Sequence, residues 1–158
     1  KNSFNFILPG YNLRPNELNG VLGLSQLQKF PKILRARKEN ARIFKKLFDN
    51  QTYCSIQKCF HDSSWYGFSI LLKGALQSKR DYIINELNNY GIETRPIVSG
   101  NFLKNSVCNF FNYEISGILK NVENLDRTGF YVGNSHSNLE KQLLKLAEIL
   151  HKLNKRIN

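Results

Sequence analysis

Apolar positions along the chain follow two periods, and the alternation between them marks out helices and strands. From Leu27 the apolar series runs Leu27, Phe30, Leu34, Ala41, Phe44 and Phe48, in steps of three and four with Arg37 interrupting it. That spacing is one buried stripe of an α-helix. Pro31 falls inside the stripe and lacks the N–H an interior helical residue must donate, so it predicts two helical pieces, 15–30 and 32–48. Pro15 suits a first helical turn, Glu17 complements the helix dipole, and Gly20 and Gly23 share a face where another backbone has room to approach. Over 64–73 the period changes to two. Tyr66, Phe68, Ile70 and Leu72 alternate onto one face of a strand, and Gly67 and Ser69 leave space on the other.

Ser78 with Asp81 has capping spacing ahead of a helical stripe of Ile83, Leu87 and Tyr90, which Gly91 ends in a left-handed turn. Ile92 to Val98 is expected to form a second strand and Phe130 to Val132 a short third, while 51–60 supplies an edge strand. Ser137-Asn138-Leu139-Glu140 is spaced as a capping box opening a last helix, whose stripe is Leu139, Leu143, Leu146, Leu150, Leu153 and Ile157. The order implies an α+β fold, a small and mainly antiparallel sheet with helices packed on it.

The 158 residues are 41% hydrophobic, enough for one domain with a core and too apolar for general disorder. No apolar run approaches the length of a membrane span. Lys1-Asn2-Ser3-Phe4 opens without a start Met or a signal-peptide core, and no Met occurs anywhere, which reads as a piece excised from a longer cytoplasmic protein. Cys54, Cys59 and Cys108 include no CxxC pair, arguing against a zinc site or a disulfide framework and for free thiols.

The charge balance, 23 Lys+Arg against 12 Asp+Glu, gives +11 and raises nucleic acid as a partner. Eight of these cations lie between Lys29 and Lys46 with Glu39 as the one acid among them. The two aromatics of that stretch, Phe30 and Phe44, belong to the apolar stripe and do not alternate with the cations as stacking platforms, so a solvated helix face or a surface meeting an acidic neighbour is favoured.

Catalytic signatures are few. His61, His136 and His151 lack metal-ligand spacing, and no GxSxG, P-loop or GxGxxG occurs. Two clusters stand out. Gly10-Tyr11-Asn12-Leu13-Arg14-Pro15-Asn16-Glu17 is a loop entering a helix, where backbone N–H groups beside Asn and Arg suit a phosphate. Its commoner reading is an Asn turn beside a surface Arg. Gly91 to Asn101 sets Arg95 on a strand before a Gly-Asn turn, which fixes a guanidinium for a carboxylate or phosphate. Its commoner reading is an edge-strand Arg whose neighbour Pro96 stops pairing.

Gly10 to Glu17, with Gly20, Gly23 and Gln26-Leu27-Gln28-Lys29 behind it, resembles the GYNxRxxE…G…QLxK segment of the DegT/DnrJ/EryC1/StrS aminotransferase family. Trp65-Tyr66-Gly67-Phe68, Gly91 to Asn101, and Gly129-Phe130-Tyr131-Val132-Gly133-Asn134-Ser135-His136 resemble three further segments of its sugar 3-dehydrase and lipopolysaccharide branches, in the same order. Lys104-Asn105-Ser106 departs from the Arg-Gln-Pro common there.

The resemblance implies the C-terminal small domain of a fold-type-I pyridoxal phosphate (PLP) enzyme over 1–158, with 1–14 as a lead-in carrying the GYN motif. The cofactor domain, with its Schiff-base Lys or the His that replaces it in 3-dehydrases, is expected to lie outside this chain. The chain alone is then expected to hold no cofactor, metal or catalytic residue. By the same resemblance Asn12 reaches the PLP phosphate of the other subunit of a homodimer. Arg14 lies toward phosphate or sugar nucleotide, Arg95 toward the carboxylate of an amino donor such as glutamate or a substrate phosphate, and Asn101, Asn134 and His136 sit in matched substrate loops. The function implied is sugar-nucleotide transamination or 3-dehydration in surface-polysaccharide synthesis, on a nucleotide-linked keto-deoxysugar. A basic nucleic-acid module and a stand-alone interaction domain are the alternatives.

Overall fold

A computed structural model describes residues 16–158 and divides the chain into two units, with the boundary after Pro31. The first helix, α1, is Glu17–Phe48 and runs unbroken through Pro31. The break expected there does not occur. Leu27, whose carbonyl loses its partner to the proline, is 65% exposed, so water is at hand to solvate it. In the first unit Leu18, Val21, Leu22, Leu24, Leu27 and Phe30 are all exposed, and Gly20 and Gly23 face open space.

The second unit is a three-stranded antiparallel sheet in the order β1 (Cys54–Ile56), β2 (Gly67–Leu72), β3 (Gly129–Gly133). Ile70 of the central strand pairs with Ile56 on one side and Phe130 on the other. Phe68, Ile70 and Leu72 point to one face, as their alternation requires. There they join Ala41, Phe44 and Phe48 of α1, Ile83 and Leu87 of α2 (Arg80–Asn89), and Leu143, Leu146, Ile149, Leu150 and Leu153 of α4 (Glu140–Ile157) in one core. Phe44 stacks on Phe68 with ring centroids 4.5 Å apart and meets Trp65 edge-on at 6.1 Å. The α+β layer, the edge strand within 51–60 and the stripe of the last helix thus form as the sequence implies. The helix α3 (Lys120–Thr128), which that reading lacks, packs against β2 and β3.

Three local expectations are corrected. Ile92 to Val98 makes one bridge, Arg95 to Tyr131, instead of a strand. Pro96 has no N–H to extend it, and the chain turns at once, with Gly100 N–H donating to the Ile97 carbonyl at 3.0 Å. Neither proposed cap forms as spaced. A 3-10 helix over Gly74–Lys79 runs directly into α2, so Ser78 has no extended N-cap geometry from which to act. At α4 the N–H of Glu140 donates to Asn138 Oδ1 at 2.9 Å, and that of Leu139 to Asn40 Oδ1 of α1 at 3.0 Å, so a tertiary acceptor replaces half of the local box.

Tyr66, expected on the core face, is 80% exposed, and Trp65 is buried in its place. Trp65 has φ +51°, a left-handed conformation that breaks the alternation just before β2 begins.

Candidate functional site

The sheet's other face carries Gly67 and Ser69 of β2 beside Tyr131 of β3. A Cβ on Gly67 would lie 2.8 Å from the Tyr131 ring, so only glycine lets that ring lie over the strand. Next to it opens a cleft of about 280 Å³, lined by Arg37, Tyr66, Glu93, Arg95, Tyr131 and Asn134 along with Gly133. The Tyr66 and Tyr131 rings, 6.2 Å apart, also border a mostly apolar cavity of about 470 Å³ that reaches Ile97 and Val98.

Two guanidiniums face this cleft. Arg95 is fixed through its backbone, whose N–H and carbonyl both bond Tyr131, at 3.0 and 2.8 Å. Its side chain is exposed, and Nε and Nη2 donate to Glu93 Oε1 at 3.0 and 2.8 Å; that hydrogen bond raises the guanidinium's already high pKa. Arg37 projects from α1 and donates through Nη2 to the Trp65 carbonyl at 2.6 Å and through Nε to the Ser64 carbonyl at 3.4 Å. No carboxylate of the described residues pairs with it. Two cations and one carboxylate on a concave wall with two phenols suit a carboxylate or phosphate, with Arg as the residue that grips either in a fork.

The candidate residues separate in the structure. Arg95 and Asn134 meet at the cleft. The side chain of Asn134 is engaged internally, its Nδ2 donating to the carbonyls of Arg37, Ser64 and Trp65 and its Oδ1 accepting from Asn40. Asn101 is buried away from the cleft. Its Oδ1 accepts from Leu103 N–H, and its own N–H donates to Asp126, whose pKa is lowered first by the hydrogen bond from Lys104 and then by this one. His136 is exposed and does not line the cleft. Asn12 and Arg14 lie outside the described residues.

Sequence reasoning does not find Arg37, Tyr66, Glu93 and Tyr131 as site residues, although Arg37 signals itself as the charge interrupting an apolar stripe. The basic stretch of α1 is partly spent within the fold, Lys38 pairing with Asp62 and Arg42 with Glu39. Cys54 and Cys108 are buried free thiols, and Cys59 is exposed. Among the described residues no cluster of His, Cys, Asp and Glu is arranged to hold a metal, and no helix is long and apolar enough to cross a membrane.

A model of the DegT/DnrJ/EryC1/StrS aminotransferase family matches residues 1–144. The chain belongs to this family. It is 45% identical over 151 residues to a GDP-4-keto-6-deoxy-D-mannose 3-dehydratase of Yersinia pseudotuberculosis, covering 95% of this chain and 38% of that protein. It is 27% identical over 127 residues to the lipopolysaccharide biosynthesis protein RfbH of Salmonella typhimurium, covering 78% and 29%. The solved structure of the E. coli GDP-4-keto-6-deoxy-D-mannose-3-dehydratase with bound hydrated PLP superimposes with a TM-score of 0.84 at 42% identity, over 94% of this chain and 38% of that one. The fold is that of the C-terminal region of such fold-type-I PLP enzymes. The chain spans between 29% and 38% of the length of these relatives.

Proposed function

We propose that this chain is the C-terminal small domain of a PLP-dependent enzyme that removes the C-3 hydroxyl of a nucleotide-linked 4-keto-6-deoxysugar during surface-polysaccharide synthesis. The observation that carries the reading is the two-arginine cleft on a chain 45% and 42% identical to two GDP-4-keto-6-deoxy-D-mannose 3-dehydratases. A GDP-linked sugar is therefore the first substrate to test.

The cleft by itself does not fit PLP. No lysine lines it, and its carboxylate, Glu93, is already bonded to Arg95. When bound elsewhere in the intact protein, the cofactor supplies an electron sink. The residues of this chain hold and enclose the substrate. Arg95 takes the carboxylate of an amino donor such as glutamate, or a substrate phosphate, exchanging its bond to Glu93 for a bond to the ligand. Tyr66 and Tyr131 wall the space beside it, and Arg37 adds the second positive charge. Asn12 and Arg14 act from the lead-in segment, Asn12 toward the cofactor phosphate of the other subunit of a homodimer. The chain alone, on this reading, does not turn over substrate.

The test uses the intact protein with PLP, L-glutamate and GDP-4-keto-6-deoxy-D-mannose, followed by mass spectrometry. Loss of the C-3 hydroxyl is expected. A product aminated at C-4 with that hydroxyl retained would make the enzyme a transaminase, and no product from GDP-, dTDP- or UDP-linked keto-sugars would refute the reading. Asn12→Ala should weaken cofactor binding by about ten- to a hundredfold, the loss of one hydrogen bond to a charged group.

A further inference from the structure

Trp65 and Tyr66 exchange the places that strand alternation assigns them, and the groups enforcing the exchange are themselves cleft residues. A tryptophan at φ +51° has no glycine-like freedom, so surrounding contacts must hold it there. Four hydrogen bonds converge on its turn. The carbonyl of Trp65 accepts from Arg37 Nη2 at 2.6 Å and from Asn134 Nδ2 at 3.0 Å. The carbonyl of Ser64 accepts from Arg37 Nε at 3.4 Å and Asn134 Nδ2 at 3.2 Å. Asn134 is held in turn by Asn40, which is 1% exposed. With the turn so fixed, the Trp65 ring fills the core against Phe44 and Phe68, and Tyr66 stands out over the cleft beside Tyr131.

We propose that Asn134 and Arg37 are positioning residues that act through Tyr66: they hold the left-handed turn at Trp65 and thereby place the Tyr66 phenol in the anion cleft next to Arg95. Asn134 then has no direct bond to substrate, its Nδ2 and Oδ1 both being committed to protein partners. The proposal rests on the reading of the cleft as an anion site only for its second measurement.

The first measurement needs no ligand. Tyr66 nitration by tetranitromethane is quantified by peptide mass spectrometry, and the environment of Trp65, the one tryptophan of the chain, is read by near-ultraviolet circular dichroism. Asn134→Ala should lower Tyr66 nitration severalfold and change the Trp65 signal while the far-ultraviolet spectrum stays native. Unchanged nitration and an unchanged Trp65 signal in a folded variant would overturn the proposal. If Asn134→Ala does not fold, Arg37→Lys decides. It keeps a cation in the cleft but loses the fork that spans the two carbonyls, so it should show the same two changes, and a wild-type pattern would overturn the proposal.

The second measurement is a double-mutant cycle, with inorganic pyrophosphate titrated into the chain and the backbone amides of Arg95 and Tyr131 followed by NMR. Asn134→Ala should weaken binding about tenfold in the wild-type background and leave it unchanged in Tyr66→Ala, because the two act in series. Equal losses in both backgrounds would mean that Asn134 acts independently of Tyr66 and would overturn the proposal. If the wild type gives no saturable pyrophosphate shift, the reading of the cleft fails, and nitration with the Trp65 signal still decides the positioning role.

Discussion

Asn40 offers the sharpest test of how the fold holds its functional wall. It lies on α1, 1% exposed, among residues whose apolar period would place a hydrophobic side chain there or beside it. Its Nδ2 donates to the carbonyl of Ser137 at 2.8 Å, to Asn134 Oδ1 at 3.1 Å and to the carbonyl of Ser135 at 3.2 Å, and its Oδ1 accepts from Leu139 N–H. Asn40→Ala removes all four. A net bond is worth roughly 0.5–1.5 kcal/mol, and a buried group left unpaired costs roughly 1–3 kcal/mol. Two hydrogens shared among three acceptors do not give three full bonds. The two short contacts, to Ser137 and from Leu139, should therefore dominate, for a loss of about 2–4 kcal/mol.

Asn40→Asp keeps the shape and the acceptor but turns an oxygen toward three others. Its carboxyl should titrate above the usual carboxylate range in the folded state. A folded pKa above the unfolded one stabilises below the unfolded value and loses that contribution as pH rises through the folded value. Asn40→Asp should thus be the worse variant at pH 7 and recover relative to wild type as pH falls toward about 4. Urea unfolding followed by the emission of Trp65 measures both. A loss below about 1 kcal/mol for Asn40→Ala, or an Asn40→Asp penalty that does not change with pH, would refute the account of Asn40 as the tie between α1 and the start of α4.

Other outcomes are expected elsewhere. Leu146→Ala, at a site 1% exposed, should cost about 2–5 kcal/mol in unfolding free energy, against less than about 0.5 for Leu144→Ala on the exposed side of the same helix. Gly100→Ala should destabilise by about 1–3 kcal/mol, because φ is +61° there and a Cβ would fall 1.9 Å from Asp126 Oδ1; thermal unfolding beside Asp126→Ala separates the strain from the collision. Burial pushes the Cys54 thiol up from 9.0 to about 11, so the stability its protonated form contributes should be present below pH 9 and fade as pH rises toward 11; Cys54→Ala should flatten that part of the pH–stability curve. Ellman's reagent should label Cys59 rapidly in the native chain and reach Cys54 and Cys108 only on unfolding.

Much of this protein was legible in its sequence because much of it depends on local period. The stripe from Leu143 to Leu153 and the alternation of Phe68, Ile70 and Leu72 each specify one buried face, and the structure buries both. The four ordered motifs carried the family, and among the described residues their glycines include Gly91 and Gly100 at positive φ and Gly67 under the Tyr131 ring. Arg95, which stands out in the sequence beside a proline and a Gly-Asn turn, lines the cleft, and its backbone bridge to Tyr131 is what fixes it there.

The rest depended on partners far away in sequence. Pro31 passes inside a helix because solvent stands beside the carbonyl it leaves unpaired, and no local rule reports exposure. The start of α4 takes its acceptor from Asn40, 99 residues earlier, so the capping-box spacing named the right place and the wrong donor–acceptor pair. Trp65 and Tyr66 read as one step of an alternating strand until Arg37 and Asn134 bind the carbonyls of Ser64 and Trp65. Period says which faces are apolar; only the tertiary hydrogen bonds decide which of two adjacent aromatic rings enters the core and which is left in the cleft.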